Sequence, residues 1–269
     1  MNLSPELTSQ ILLFLGCGRE KPSIRYLNRL IQAYIRHVPW ESVSRIVKRH
    51  TTQKTELCPR WPGEFWQETL KYGMGGTCFE NNLAFFTLLN NLGFNGYLTI
   101  NDMEKPACHT ASVITFNAQK YLADVTIPIQ CALPIHANQF TKRPDEFHHY
   151  TIRPESNCRY SIERSHHPKR RIFTLVDVPI PLEEYRDAVQ RDYEETGYFL
   201  DRVIIVKMIE GRLWRFSSLD LPYKLEGFDK TSKQEVTLET NKLAKSLSER
   251  FGIDEDKIAL ALSYKQIIG

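Results

Sequence analysis

The hydrophobic period of this chain changes near Tyr97, and that change limits the folds open to it. Before it the apolar spacing is helical. Ile24 to Val38 carries Leu27, Leu30, Ile31, Tyr34 and Ile35 on one helix face, with Pro39 as its stop. Ser4-Pro5-Glu6 starts an earlier helix with a hydroxyl cap and a first-turn proline, and Gly16 and Gly18 end it. A third helix is expected over about Pro62 to Tyr72, with Gly73 beyond it, and a fourth from Cys78. After the change the period is two. Tyr97 to Ile100, Thr110 to Phe116 and Tyr121 to Ile127 read as strands, the last two joined by a tight turn at Asn117-Ala118-Gln119. Thr141 to Arg171 is polar and reads as exposed loops and short strands. Val203 to Met208 and Leu213 to Phe216 form a hairpin around Glu210-Gly211, and Leu243, Leu247 and Phe251 share a helix face over Asn241 to Phe251. Helices first, strands next and a mixed tail make an α+β protein.

Composition excludes more than it selects. Hydrophobic residues at 42% and charged residues at 25% are ordinary for a folded chain, and a net charge of +3 is too small to imply nucleic acid or a membrane as partner. The run Ile11 to Leu15 lacks the basic flank of a signal peptide and is too short to cross a bilayer. The 6 cysteines include no C-x-x-C pair, so neither a zinc site nor a thioredoxin-type site is suggested, and a cytoplasmic, reduced location is expected.

The segment with most chemical content is Gly73-Met74-Gly75-Gly76-Thr77-Cys78-Phe79-Glu80-Asn81-Asn82. Thr77 and Glu80 have the spacing of a capping box, which puts Cys78 at the first helical position. Free N–H groups and the dipole at a helix N-terminus favour a thiolate over a thiol. They also hold the oxyanion that forms when an acyl carbonyl is attacked. Gly75-Gly76 is read as room for a substrate beside the backbone. The competing reading is that Cys78 is a small buried hydrophobe.

A reactive cysteine needs a base, and the base needs an orienting group. His109 opens a strand, and Asp124 sits in an apolar run on the returning strand, where an unpaired acid would be costly. A two-residue turn at Ala118-Gln119 would set Asp124 opposite Val113, on the same face as His109 but roughly 13 Å away along a flat strand. Twist, a bulge or a different register must close that distance.

These residues resemble the arylamine N-acetyltransferase family. Gly75, Gly76, Cys78, Glu80 and Asn82 match the family's R-G-G-x-C-x-E-x-N block, and His109 and Asp124-Val125 match the spacing and surroundings of its histidine and aspartate. Val38-Pro39-Trp40-Glu41-Ser42 echoes an upstream I-P-F-E-N-like element, and the likeness runs from about Arg25 to Pro128. The resemblance implies a helical domain over 1–95 carrying the nucleophile, a central β-barrel over 96–185 carrying the histidine and aspartate, and a C-terminal mixed α/β lid over 186–269. It implies a papain-like triad of Cys78, His109 and Asp124 that moves an acetyl or related acyl group from acyl-CoA, through a cysteine thioester, to an arylamine or hydrazine. Acetyl-CoA is then a co-substrate, with no tightly bound cofactor and no metal, in a monomer or homodimer. The chain departs from the family at Met74, where the family has arginine, with Lys71 as a possible substitute. It departs again before Val203, where Glu194 to Phe199 stands in place of an S-T-H-P-x-S stretch near the family's CoA site. These departures leave open a cysteine hydrolase or amidase with the same triad, or a non-catalytic small-molecule-binding member. His148-His149 and His166-His167 read as solvated loop rather than metal ligands, and Lys169-Arg170-Arg171 as a surface charge run rather than a phosphate contact. Trp40, Trp61 and Trp66 read as core.

Overall fold

The computed structural model describes residues 2–144, 148–165, 170–195 and 197–267. In chain order its elements are α1 (Pro5–Phe14), α2 (Ile24–His37), β1 (Trp40–Glu41), α3 (Val43–Thr51), α4 (Pro62–Tyr72), α5 (Cys78–Asn91), β2 (Asn95–Asn101), β3 (His109–Phe116), β4 (Gln119–Ala123) and β5 (Leu133–Ile135). Then come β6 (Thr141–Pro144), β7 (His149–Ser156), β8 (Arg159–Arg164), β9 (Arg171–Val176), α6 (Leu182–Arg191), β10 (Ile204–Ile209), β11 (Arg212–Ser217), β12 (Lys224–Phe228), β13 (Lys233–Thr237), α7 (Leu243–Phe251) and α8 (Glu255–Tyr264). The chain forms two compact units, Met1–Tyr34 with Asn82–Tyr185, and Ile35–Asn81 with Arg186–Gly269.

In the first unit, the helix read at Ser4-Pro5-Glu6 starts as expected, with Ser4 Oγ accepting from the Leu7 N–H at 3.1 Å. In the core of the same unit, Phe85 of α5, a helix apolar almost all round, meets Tyr34 of α2 edge-on with ring centroids 5.1 Å apart. Two antiparallel four-stranded sheets follow, β2-β3-β4-β5 and β6-β7-β8-β9. The polar stretch after Thr141, read as loops with short strands, is therefore mostly sheet. Inward residues of both sheets, among them Ala111, Val113, Leu122, Ile152, Ile162, Phe173 and Leu175, share one hydrophobic cluster.

Among the described residues the expected β-barrel is not formed, because neither junction between the sheets carries a ladder. At one, β5 is Leu133-Pro134-Ile135, and its proline has no N–H to offer a next strand; the Thr141 hydroxyl donates to the Pro134 carbonyl instead, at 2.7 Å. At the other, β2 and β9 meet through a single bridge, Asp102 with Thr174, and the Val176 N–H is taken by the side chain of Asn101 at 2.9 Å.

The turn between β3 and β4 is Asn117-Ala118, both left-handed at φ 49 and 62, one residue earlier than the sequence predicts. Ser112 therefore pairs with Ala123. Carried one step further, this register sets Asp124 level with Ala111 rather than Val113. The offset from His109 falls from four residues to two, roughly 7 Å of strand.

In the second unit a five-stranded antiparallel sheet has the order β1-β10-β11-β12-β13. The hairpin read around Glu210-Gly211 is β10–β11. Val203, Ile205, Trp214 and Phe216 pack with Val43 and Ile46 of α3, Leu243, Leu247 and Phe251 of α7, and Ile258 and Leu262 of α8. Sequence reasoning missed α3 because its buried side includes Ser44 and Arg45, which interrupt the apolar stripe. No helix among the described residues is long and apolar enough to cross a membrane.

Candidate active site

His109 opens β3 and Asp124 is the first residue past β4. The hairpin brings them into contact: His109 Nε2 lies 2.6 Å from Asp124 Oδ2, and both side chains are buried. The other oxygen of Asp124 is held by its own loop. Oδ1 accepts from the Thr126 N–H at 2.8 Å, from the Thr126 hydroxyl at 2.7 Å and from Asn82 Nδ2 at 3.3 Å. Burial works against the charge on this carboxylate, but the His109 ring and the bonds from His109 and Thr126 outweigh it and hold its pKa below the ordinary value. Asn82 also donates to the Thr110 carbonyl at 2.7 Å and accepts from the Val125 N–H at 3.3 Å, tying α5 to both strand ends that carry the pair. Phe173 of β9 lies beside the imidazole, ring centroids 4.6 Å apart. In the sequence Asn82 stands out only as a motif match and Thr126 not at all; the D-x-T pattern, which lets an aspartate bond the backbone two residues on, is the available signal.

Cys78 is the first residue of α5 and is partly exposed. The Thr77 carbonyl accepts the Asn81 N–H at 3.0 Å, so the helix begins where the sequence placed it. Glu80 has a larger task than a capping box. Its Oε1 accepts from the Arg60 N–H at 2.9 Å and the Tyr193 hydroxyl at 2.7 Å, and its Oε2 lies 2.5 Å from Arg60 Nη2. Burial would raise its pKa, yet the Arg60 charge and these bonds keep it below the ordinary range. Arg60, not Lys71, is the buried cation that pairs with Glu80. Lys71 is exposed with its ammonium 4.8 Å from the Tyr72 ring centroid, while Met74 is part of the apolar core. Arg60 Nη2 also donates to Ser44 Oγ at 2.9 Å and to the Gly75 carbonyl, and Nη1 to Glu68 at 3.1 Å.

A second buried cation stands beside the first. Arg45 Nη1 bonds Asp192 Oδ2 at 2.7 Å and Thr77 Oγ1 at 3.2 Å, and its guanidinium lies 4.4 Å from the Tyr193 ring centroid. Asp192 Oδ1 accepts the Tyr198 N–H at 3.3 Å, and a Cβ at Gly197 would lie 2.0 Å from the Asp192 carbonyl. Gly197 and Tyr198, in the divergent stretch before Val203, thus lie against this network, and Phe199 packs edge-on against Trp40 at 4.8 Å. Nothing in the sequence marked Arg60, Arg45, Asp192 or Tyr193 as members of one cluster.

The reading of Gly75-Gly76 as space for a substrate is corrected. A Cβ at Gly75 would fall 1.8 Å from the Pro39 carbonyl, and one at Gly76 would meet Glu80 at 2.8 Å and Arg60 at 2.9 Å. Protein atoms fill the room these glycines leave. Trp66 is core as expected, while Trp61 is half-buried near Arg186 and Trp40 packs on Phe199. Among the described residues no group of three or more His, Cys, Asp or Glu could hold a metal ion. His166, His167 and Lys169 lie outside the described residues.

A family model described as N-acetyltransferase matches residues 23–259. No curated protein sequence matches the chain. Among solved structures, the arylamine N-acetyltransferase from Mycobacterium abscessus is similar with a TM-score of 0.80 and 18% identity, over 96% of this chain and 94% of that one. That from Mycobacterium marinum in complex with CoA has a TM-score of 0.80 and 14% identity, over 97% and 100%. An arylamine N-acetyltransferase from Bacillus cereus, described as having a Cys-His-Glu catalytic triad, has a TM-score of 0.75 and 19% identity, over 93% and 100%. Since the family model spans most of the sequence and these neighbours share its fold from end to end, the chain belongs to the arylamine N-acetyltransferase family and is an acetyltransferase.

Proposed function

We propose that this enzyme carries an acetyl group from acetyl-CoA to an arylamine or hydrazine nitrogen by way of a thioester on Cys78, with His109 and Asp124 completing the triad. The single observation that carries the reading is the buried His109–Asp124 pair at 2.6 Å. Support also comes from α5. Cys78 and Asn82 are four residues apart and share a helix face, and Asn82 is the side chain that grips both Thr110 and Asp124.

In this reading the Cys78 thiolate attacks the thioester carbonyl, and the tetrahedral oxyanion is held by N–H groups at the start of α5. The carbon–sulfur bond to CoA breaks, and the imidazolium of His109 gives its proton to the departing CoA sulfur. Nε2 is occupied by Asp124, so Nδ1 is the ring atom that handles this proton. The amine then attacks the acetyl-cysteine, His109 takes the proton released from nitrogen, and Cys78 leaves as thiolate. Asp124 fixes the ring and stabilises its charged form. The division of labour is that of the sequence reading: 1–95 brings the nucleophile, 96–185 the histidine and aspartate, and 186–269 a lid. The enzyme acts in the cytoplasm as a monomer or homodimer.

Incubation with acetyl-CoA followed by intact-mass and peptide mass measurement tests this. One acetyl group on Cys78, discharged by an arylamine faster than by water, is the expected result. No adduct under conditions that alkylate Cys78 would overturn it, and discharge to water alone would make the enzyme a hydrolase.

A further inference from the structure

Arg60 is far from Cys78 in sequence and belongs to no motif of the family block, yet its side chain is fully buried among residues that flank the nucleophile. One guanidinium nitrogen, Nη2, reaches three segments: Ser44 of α3, the Gly75 carbonyl three residues before Cys78, and Glu80 two residues after it. The Arg60 main-chain N–H takes the second oxygen of Glu80. Peptide planarity gives the carbonyl contact a consequence. In a trans peptide the C=O of Gly75 and the N–H of Gly76 point in opposite directions, so holding the first aims the second. The next peptide is held in the same way, since the Gly76 carbonyl accepts from the Glu41 N–H at 3.0 Å and from Asn81 Nδ2 at 2.5 Å. Arg60 therefore orients the backbone entering α5 and, through Glu80, the first turn of the helix.

We propose that Arg60 is a positioning residue for Cys78, clamping the chain on both sides of the nucleophile from a sequence position outside the family's motif. What Cys78 does chemically rests on the acyl-cysteine reading above; the clamp itself is read out by thiol reactivity, which does not. Lysine at this position keeps the charge but has one nitrogen in place of two, so it cannot hold Glu68 and the Ser44, Gly75 and Glu80 acceptors together. Glutamine at both Arg60 and Glu80 removes the two charges of this pair together, so Glu80 is not left buried and charged without its partner.

The full chain carries its own control. Cys58 is buried two residues from Arg60, so it reacts only if the structure around Arg60 opens. Iodoacetamide labelling, followed peptide by peptide, should show Cys78 alkylation slowed at least fivefold in Arg60→Lys and in the Arg60→Gln/Glu80→Gln double variant, with Cys58 as unreactive as in the parent. Acetylation of Cys78 by acetyl-CoA should slow in parallel, with kcat reduced and the amine KM unchanged. An unchanged Cys78 rate, or Cys78 and Cys58 changing together, would overturn the proposal and leave Arg60 a purely structural cation. If the parent takes no acetyl group at all, the acyltransferase reading fails while the labelling comparison still decides the role of Arg60.

Discussion

Asp124 must stay charged inside the protein, and three groups see to it. His109 faces one oxygen, and Thr126 and Asn82 occupy the other. Replacing it by asparagine keeps the shape and removes the charge that steadies an imidazolium. The kcat of Asp124→Asn is expected to fall by about 10³- to 10⁴-fold, by analogy with triads of the same kind, with little change in amine KM; steady-state kinetics with acetyl-CoA checks this. The same carboxylate sets a pH signature. Its pKa is lowered from 3.8, so its contribution to stability is present above that value and lost as the pH falls through the folded-state pKa. Urea unfolding at stepped pH should find the stability gap between parent and Asp124→Asn closing below about pH 4. The identities of His109, Asp124 and Cys78 were legible because each breaks a local pattern: a histidine at a strand start, an acid in an apolar run, a thiol at a helix cap. Thr126 breaks no pattern, and its role exists only because Asp124 is buried.

Hairpins and helix ends show how much an element owes to one or two residues. The β3–β4 turn needs left-handed backbone at both central positions, which Asn117 tolerates and Ala118 does not favour. Ala118→Gly should stabilise the protein by about 1 kcal/mol without changing the register that serves Asp124, as chemical denaturation would show. At the end of α7, the ammonium of Lys207 on β10 donates to the Phe251 carbonyl at 2.8 Å, and Gly252 turns the chain away at φ 74. Burial pulls the pKa of Lys207 from 10.5 down to about 8. The folded state therefore releases this proton before the unfolded state does. The penalty for its charge is fully present below pH 8 and is relieved as the pH rises toward 10.5, a gain of up to about 3 kcal/mol. Thermal unfolding between pH 8 and 10 should show stability rising more steeply in the parent than in Lys207→Met.

At the scale of the whole molecule, buried charges join parts of the chain that no local signal relates. Arg45 and Asp192 are 147 residues apart, and Arg60 and Glu80 are 20 apart. Breaking such a pair from one side leaves the other charge buried and alone. Arg45→Met should cost about 3–5 kcal/mol in calorimetry, and Arg45→Met/Asp192→Asn much less. The sequence by itself determined the α+β class, the helices α1, α2, α4 and α5, the β3–β4 and β10–β11 hairpins and the three triad candidates, because caps, turns and apolar periods act over a few residues. Only the tertiary structure decided that the two sheets of the first unit stop short of a closed barrel, that Asp124 lies two residues rather than four from the level of His109, and that Arg60 rather than Lys71 answers Glu80. In each case the choice depends on which donors, acceptors and charges are left unpaired once distant segments are buried, and that is not written in any single stretch of the chain.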